Sequence, residues 1–371
     1  MKDNIKEFLK NFVNTLSLEN IDTVHHDSIR KKDRIEILAA LLIAATEQDN
    51  KELSDKVFSK IRELQLNSSG FDEKFYGNHD ENVGSYGAIP TSFVAIAACK
   101  YIHTYFPNNY EYNRWLLKLG DFIYSVESEG AYLKGTLNRS KALNTDLFMS
   151  YSLYVISKNL SNDSVRRRMY EEATRRTIWR IMKYQFSNGS FPYQSYTIKV
   201  PFLYHIVITS LLKNFAISSK DEMITSVYNK AVKFINSNIF NGRDINWEKA
   251  NDKDKEGAIW AYSFLLNIYP RGESHSTLID ILENHFEDGF FYSSTLGNSD
   301  KNVDKFYSAW VIISLDHFTY DEVENKKYKF NIFLFLNRQI LNIQALYRYV
   351  KQRLLNTIYN TGAHENKNPH D

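Results

Sequence analysis

Five glycine-led segments constrain this chain more than any other feature of it. They begin at Gly70, Gly130, Gly189, Gly242 and Gly289, so the intervals are 60 (130 − 70), 59 (189 − 130), 53 (242 − 189) and 47 (289 − 242) residues. Each passes from a loop-like or aromatic stretch into an apolar helical one. In the third, GSFPYQSYTIKVPFLYHIVITSLLK, residues Phe191 to Tyr196 alternate in the manner of an extended strand. Beyond Pro201 the period becomes helical, with Leu203, Ile206, Val207, Ser210 and Leu211 on one face. Proline fits at that point because the first turn of a helix has no use for its N–H. Self-similarity at a fairly steady period marks a repeat architecture.

The helical stretches come in two kinds. Segments 32–46, 88–102, 142–158, 201–213, 256–269 and 305–318 are apolar or small-residue around most of their circumference, as a helix buried on all sides must be. Segments 4–17, 51–64, 110–127, 163–185, 219–238 and 275–286 carry a single apolar stripe. Six inner helices interleaved with outer ones predict an all-α fold, a closed (α/α)6 toroid of helical hairpins with short irregular or β-like loops at one mouth. A hairpin cannot bury its inner face alone, and closing the ring removes exposed ends. With no Pro/Gly/Ser-rich linker, one domain is expected over 1–360, including a long helix at 328–359, followed by a polar tail at 361–371. The glycine-aromatic segments connect an outer helix to the next inner one, so they gather at one mouth of the ring, where such a fold places a site.

Composition narrows the function classes. The 46 basic and 44 acidic residues leave a net charge of +2, so no bulk field recruits nucleic acid or an anionic membrane. The run Arg166-Arg167-Arg168 reads as a solvated outer face, and His25-His26-Asp27 lacks a partner at metal-ligand spacing. The single cysteine, Cys99, lies in an apolar helical run and excludes an internal disulfide or a thiolate zinc cluster. No phosphate-binding glycine loop, HExxH or GxSxG motif occurs, and neither a metal nor a cofactor is expected. The charged N-terminal stretch reads as an amphipathic helix rather than a signal peptide, and no apolar run reaches the roughly 20 residues of a membrane span. A cytoplasmic location is the expectation; oligomeric state is left open. The 25 tyrosines and 24 phenylalanines suit a concave site for sugars or isoprenoids.

Residues able to carry chemistry sit in the mouth segments or the first turns of inner helices. Asp146, beside the apolar run LFMSYSLYVI, would titrate high if desolvated, as a general acid needs, although a helix-terminal carboxylate is the plainer role. Glu256 opens the fifth inner helix and could be the second carboxylate of an acid–base pair. Tyr204 and His205 diverge by about 100° on one helix, so at most one is aimed squarely at the lumen. Arg139 would pair with a substrate carboxylate, and Asn144 would orient the reacting group. Tyr86, Tyr193, Trp247 and Tyr292 are candidate stacking platforms, with Lys305 beside the sixth inner helix. Asp146 and His205 are early in successive inner helices, which predicts that both point into one cavity.

The six-hairpin pattern resembles the α/α-toroid superfamilies: the six-hairpin glycosidases and lyases, and the terpenoid cyclases with protein prenyltransferases. The aspartate-rich motifs that cyclases would need are absent, as are the cysteine-containing zinc ligands of prenyltransferases. NTDLFMS, residues 144–150, is similar to the Asp-Thr-Leu-Phe-Met or Asp-Asp-Leu-Phe-Met segment of unsaturated glucuronyl and galacturonyl hydrolases. With Leu147, Phe148 and Met149 aligned, that family's catalytic aspartate falls on Thr145, one residue before Asp146. The resemblance implies a glycan-processing enzyme (hydrolase, lyase or epimerase) working on an oligosaccharide or uronic-acid glycan by acid–base chemistry in the lumen. Two alternatives stand beside it: a terpenoid-cyclase-like enzyme with an atypical acid, and a toroidal binding protein without chemistry.

Overall fold

The computed structural model describes residues 2–16, 33–66, 68–71, 87–134, 138–139, 142–160, 163–219, 221–250, 258–291 and 305–315. Six described helices form an inner ring: α2 (Asp33–Glu47), α4 (Ala88–Tyr105), α6 (Leu143–Asn159), α8 (Phe202–Ser219), α10 (Ala258–Ile268) and α12 (Lys305–Leu315). Each packs against the next, and α12 packs back against α2. Six more lie outside them: α1 (Lys2–Thr15), α3 (Lys51–Glu63), α5 (Tyr110–Ser125), α7 (Ser164–Met182), α9 (Glu222–Asn238) and α11 (Glu273–Asn284). This is an (α/α)6 toroid.

The two layers follow from the two sequence patterns. In α8 every residue from Leu203 to Ala216 is buried, because inner neighbours and the outer layer enclose it on all sides. In α3 the buried residues are Ser54, Val57, Phe58 and Ile61, a single stripe at helical spacing. Four of the six outer helices are also capped where they begin. Asn50, Asn109, Asp163 and Asp221 each accept hydrogen bonds from first-turn N–H groups of α3, α5, α7 and α9. Inner helices α4 and α6 start after Gly87 and Ala142 with no side-chain cap.

The N-terminal helix covers the seam where the ring closes. The turns at Gly130 and Gly189 lie against the outer helices that follow them, and a side chain there would strike the backbone carbonyls of Arg176 in α7 and Lys230 in α9. The turn at Gly289, before α12, lies in the same manner against Thr15 and Asn11 of α1. Helix α1 packs on α2 and against the turn at Gly289 that leads into α12, so it lies over the seam where α12 meets α2. Phe8 and Phe12 seal it, with ring centroids 5.0 Å from Phe286, 5.4 Å from Phe291 and 6.1 Å from Phe290.

Two turns build small antiparallel sheets. Strands β1 (Glu127–Ser128), β2 (Ala131–Lys134) and β3 (Asn138–Arg139) pair in order, with Glu127 opposite Tyr132 and Leu133 opposite Arg139. Strands β4 (Phe286–Glu287) and β5 (Phe290–Phe291) form a hairpin around Gly289. The segment 191–196, expected as a strand, makes only one bridge, Ala142 to Gln194. Pro192 cannot donate to a ladder, and the segment instead lies over the start of α6, where Leu143 N–H donates to the Tyr193 carbonyl. The expected helix at 328–359 and tail at 361–371 lie outside the described residues. No described helix is long and apolar enough to cross a membrane.

Candidate active site at the mouth of the ring

Every glycine-aromatic turn but one is fastened to its inner helix by the same device. Two residues after a left-handed residue, a backbone N–H donates to a side chain early in the following inner helix. Phe71 N–H donates to Thr91 Oγ1 (3.1 Å) and Tyr132 N–H to Asp146 Oδ1 (2.9 Å). Phe191 N–H donates to His205 Nδ1 (3.1 Å) and Phe291 N–H to Ser308 Oγ (2.8 Å). The left-handed residues are Ser69, Gly130, Gly189 and Gly289. The turn at Gly242 is fastened otherwise: Asp244 N–H stays local on Asn241 Oδ1, and Asp244 Oδ1 accepts from the Tyr262 hydroxyl at 2.5 Å.

Asp146 and His205 are thus equivalent, as expected, but as anchors of the turns. Asp146 is fully buried and faces the outer layer, where Oδ2 accepts from Arg180 of α7 at 2.5 Å. Burial pushes its pKa up to about 7, against the lowering pull of Arg180 and of the Tyr132 N–H. His205 is also fully buried; burial pushes its pKa down to about 4. Because Nδ1 accepts from an amide, the neutral ring carries its proton on Nε2, which faces the Ala231 carbonyl of α9 at 3.3 Å. The expected convergence of the two on one cavity is not what the structure shows: each turns outward to a different outer helix, and both have their polar atoms engaged by the scaffold.

The lumen holds other groups. Phe148 of α6 meets Phe93 of α4 (5.3 Å), Trp310 of α12 (5.5 Å) and Phe264 of α10 (6.2 Å). Trp310 lies 4.1 Å from Trp260, tilted by 33°, and Trp260 continues to Tyr204 of α8 at 6.4 Å. These rings, from five of the six inner helices, make a buried aromatic floor. Tyr204 is stacked on Tyr193 at 4.1 Å and 25°. One helical turn before Phe148, and so on the same face of α6 towards the mouth, lies Asn144. It is 5% exposed, and its Oδ1 has no hydrogen-bond partner.

Of the residues singled out in the sequence, Asn144, Tyr193 and Tyr204 border this floor. Trp247 does not: its indole N–H donates to Tyr262, and it lines an outer groove of about 380 Å³ beside Asn241 and Asn246. Tyr86, Glu256 and Tyr292 lie outside the described residues, as do the side chains of Arg139 and Lys305. The floor residues Phe93, Phe148, Trp260 and Trp310 were not picked out, since an aromatic residue in a helix apolar all round does not announce which way it faces. Their recurrence one or two turns into successive inner helices was the available signal. Among the described residues no group of three or more His, Cys, Asp or Glu is arranged to hold a metal ion.

The sequence matches no protein-family model and no curated protein. Solved structures do match. An unsaturated glucuronyl hydrolase specific for heparin superposes with a TM-score of 0.57 at 10% identity, over 86% of this chain and 97% of its own. A D-mannose isomerase gives 0.57 at 13% identity, over 78% and 87%. A family 76 glycoside hydrolase, the α-mannanase of Bacteroides thetaiotaomicron, gives 0.54 at 10% identity, over 78% and 85%. The fold is that of the α/α-toroid class to which these carbohydrate-active enzymes belong.

Proposed function

We propose that this chain is a carbohydrate-processing enzyme, a hydrolase, lyase or epimerase, whose substrate enters the mouth and rests on the aromatic floor. The observation that carries the reading is the pairing of that floor with a buried, unpartnered amide oxygen on Asn144. A sugar ring offers an apolar C–H face to an indole or phenol and hydroxyl donors to an amide oxygen. A polar atom buried without a partner costs free energy, so its presence fits a group that a ligand completes. The structural neighbours, all named for work on sugars, agree with this reading.

In this reading Asp146 and His205 position the mouth turns, and the proton-transfer roles pass to Tyr204 and to Glu256, four residues before Trp260 in sequence. Tyr193 and Tyr204 hold the ring, and Asn144 accepts one of its hydroxyls. The terpenoid alternative calls for an acid among Phe and Trp; the nearest carboxylate along α6, Asp146, instead turns outward to Arg180. Glu256→Gln is expected to lower turnover of an oligosaccharide by on the order of 100-fold with the circular dichroism unchanged. Unchanged turnover would remove Glu256 from the chemistry.

A second reading has its own support. The floor fills the described lumen with buried rings, and the two titrating groups of α6 and α8 are engaged by the scaffold, as a non-catalytic toroid would allow. Sugar binding without product would decide for it.

A further inference from the structure

The charge of this nearly neutral chain is concentrated on one outer helix. Residues 164–183, α7 and its C-terminal neighbour Lys183, hold seven cations and two acids, where the whole chain is only +2. Three of the seven are paired: Arg166 with Asp121 and Asp163, Arg176 with Glu127, and Arg180 with Asp146. Arg167, Arg168, Arg175 and Lys183 are exposed and have no ion-pair partner among the described residues. At 100° per residue, Val165, Arg168, Arg175, Trp179 and Lys183 fall within about an 80° arc, a stripe about 27 Å long. On that stripe Val165 is 69% exposed and Trp179 is 42% exposed. Trp179 stands one turn from Arg175 on one side and from Lys183 on the other.

We infer that this face of α7 docks on an anionic lipid surface. The wall of a toroid is convex, so it cannot enclose a small ligand; its partner must be broad. An indole between two cations suits the boundary between headgroups and acyl chains, where the ring sits at the interface and the cations reach phosphates. Basic side chains alone bind weakly and an apolar insertion alone binds weakly, and this stripe offers both. Exposed Lys118 of α5 and Lys233 of α9, on the flanking outer helices, extend the positive field, while Glu172 is the one exposed acid within the stripe. The whole-chain charge concealed this because acids elsewhere balance it.

The test uses the full chain and vesicles of phosphatidylcholine with or without phosphatidylserine. Co-sedimentation is expected only with phosphatidylserine and is expected to be released by raised salt. The triple substitution Arg168→Glu, Arg175→Glu and Lys183→Glu is expected to weaken it at least tenfold, and Trp179→Ser to weaken it severalfold. All four residues are exposed, so circular dichroism should be unchanged. Absence of sedimentation with phosphatidylserine vesicles overturns the inference, as does undiminished binding by the triple variant. Capture on an anionic polymer such as heparin that equals lipid binding and ignores Trp179→Ser would also overturn it, showing a charge-only surface.

Discussion

Asn144 and Asp146 are two residues apart on one helix and face nearly opposite ways, so one joins the lumen and the other the scaffold. Nothing in NTDLFMS distinguishes them, because α6 is apolar on both sides and its neighbours lie far away in sequence. Arg180 decides the matter for Asp146 from 34 residues downstream. Asp146→Ala strands both the Tyr132 N–H and the Arg180 guanidinium and is expected to cost about 2–4 kcal/mol in urea denaturation. Asp146→Asn keeps the acceptor for Tyr132 and should cost less, with turnover within a few-fold of the parent. His205 gives a pH signature. Its pKa is lowered from 6.5 to about 4, so the unfolded chain binds the proton first and stability falls as pH drops through that window. The loss is on the order of 3 kcal/mol by the lower end. Asp146, with its raised pKa, contributes in the opposite sense, gaining relative stability as pH falls below about 7. Comparing the melting temperature from pH 7 to pH 4 in the parent and in His205→Asn isolates the histidine: the variant should start lower and fall less.

The turns were legible in the sequence as glycine-aromatic segments, and their position between outer and inner helices followed from the alternation of helix types. Their fastening was not, because the accepting side chain differs in each repeat: threonine, aspartate, histidine and serine share only an acceptor atom. The glycines themselves are of unequal weight. Gly189 has φ +94 and its Cβ would enter the Lys230 carbonyl, while Gly272, at φ +84, has open space around it. Gly272→Ala is expected to cost on the order of 1 kcal/mol, the strain of a positive-φ, extended-ψ conformation that only glycine adopts readily. Gly189→Ala should cost several times more, because α9 must also move. Equal losses in chemical denaturation would show that the turn does not rest on the helix.

The ring was readable from counting six inner and six outer patterns, but its closure was not, since α2 and α12, which close it, lie near opposite ends of the described chain. Phe12, fully buried in that seam, should lose about 3–5 kcal/mol on Phe12→Ala, and the loss should appear as unfolding of the whole ring rather than fraying of α1. The proposed function belongs to this closed assembly, because the floor draws rings from five inner helices. It is tested most directly by incubating the full chain with a panel of neutral and acidic oligosaccharides and following new reducing ends, ring unsaturation and epimer exchange. The account predicts that at least one sugar is converted, and that Tyr204→Phe and Asn144→Leu each slow conversion tenfold or more without unfolding the ring. A natively folded chain that neither converts nor binds any of these sugars would contradict it.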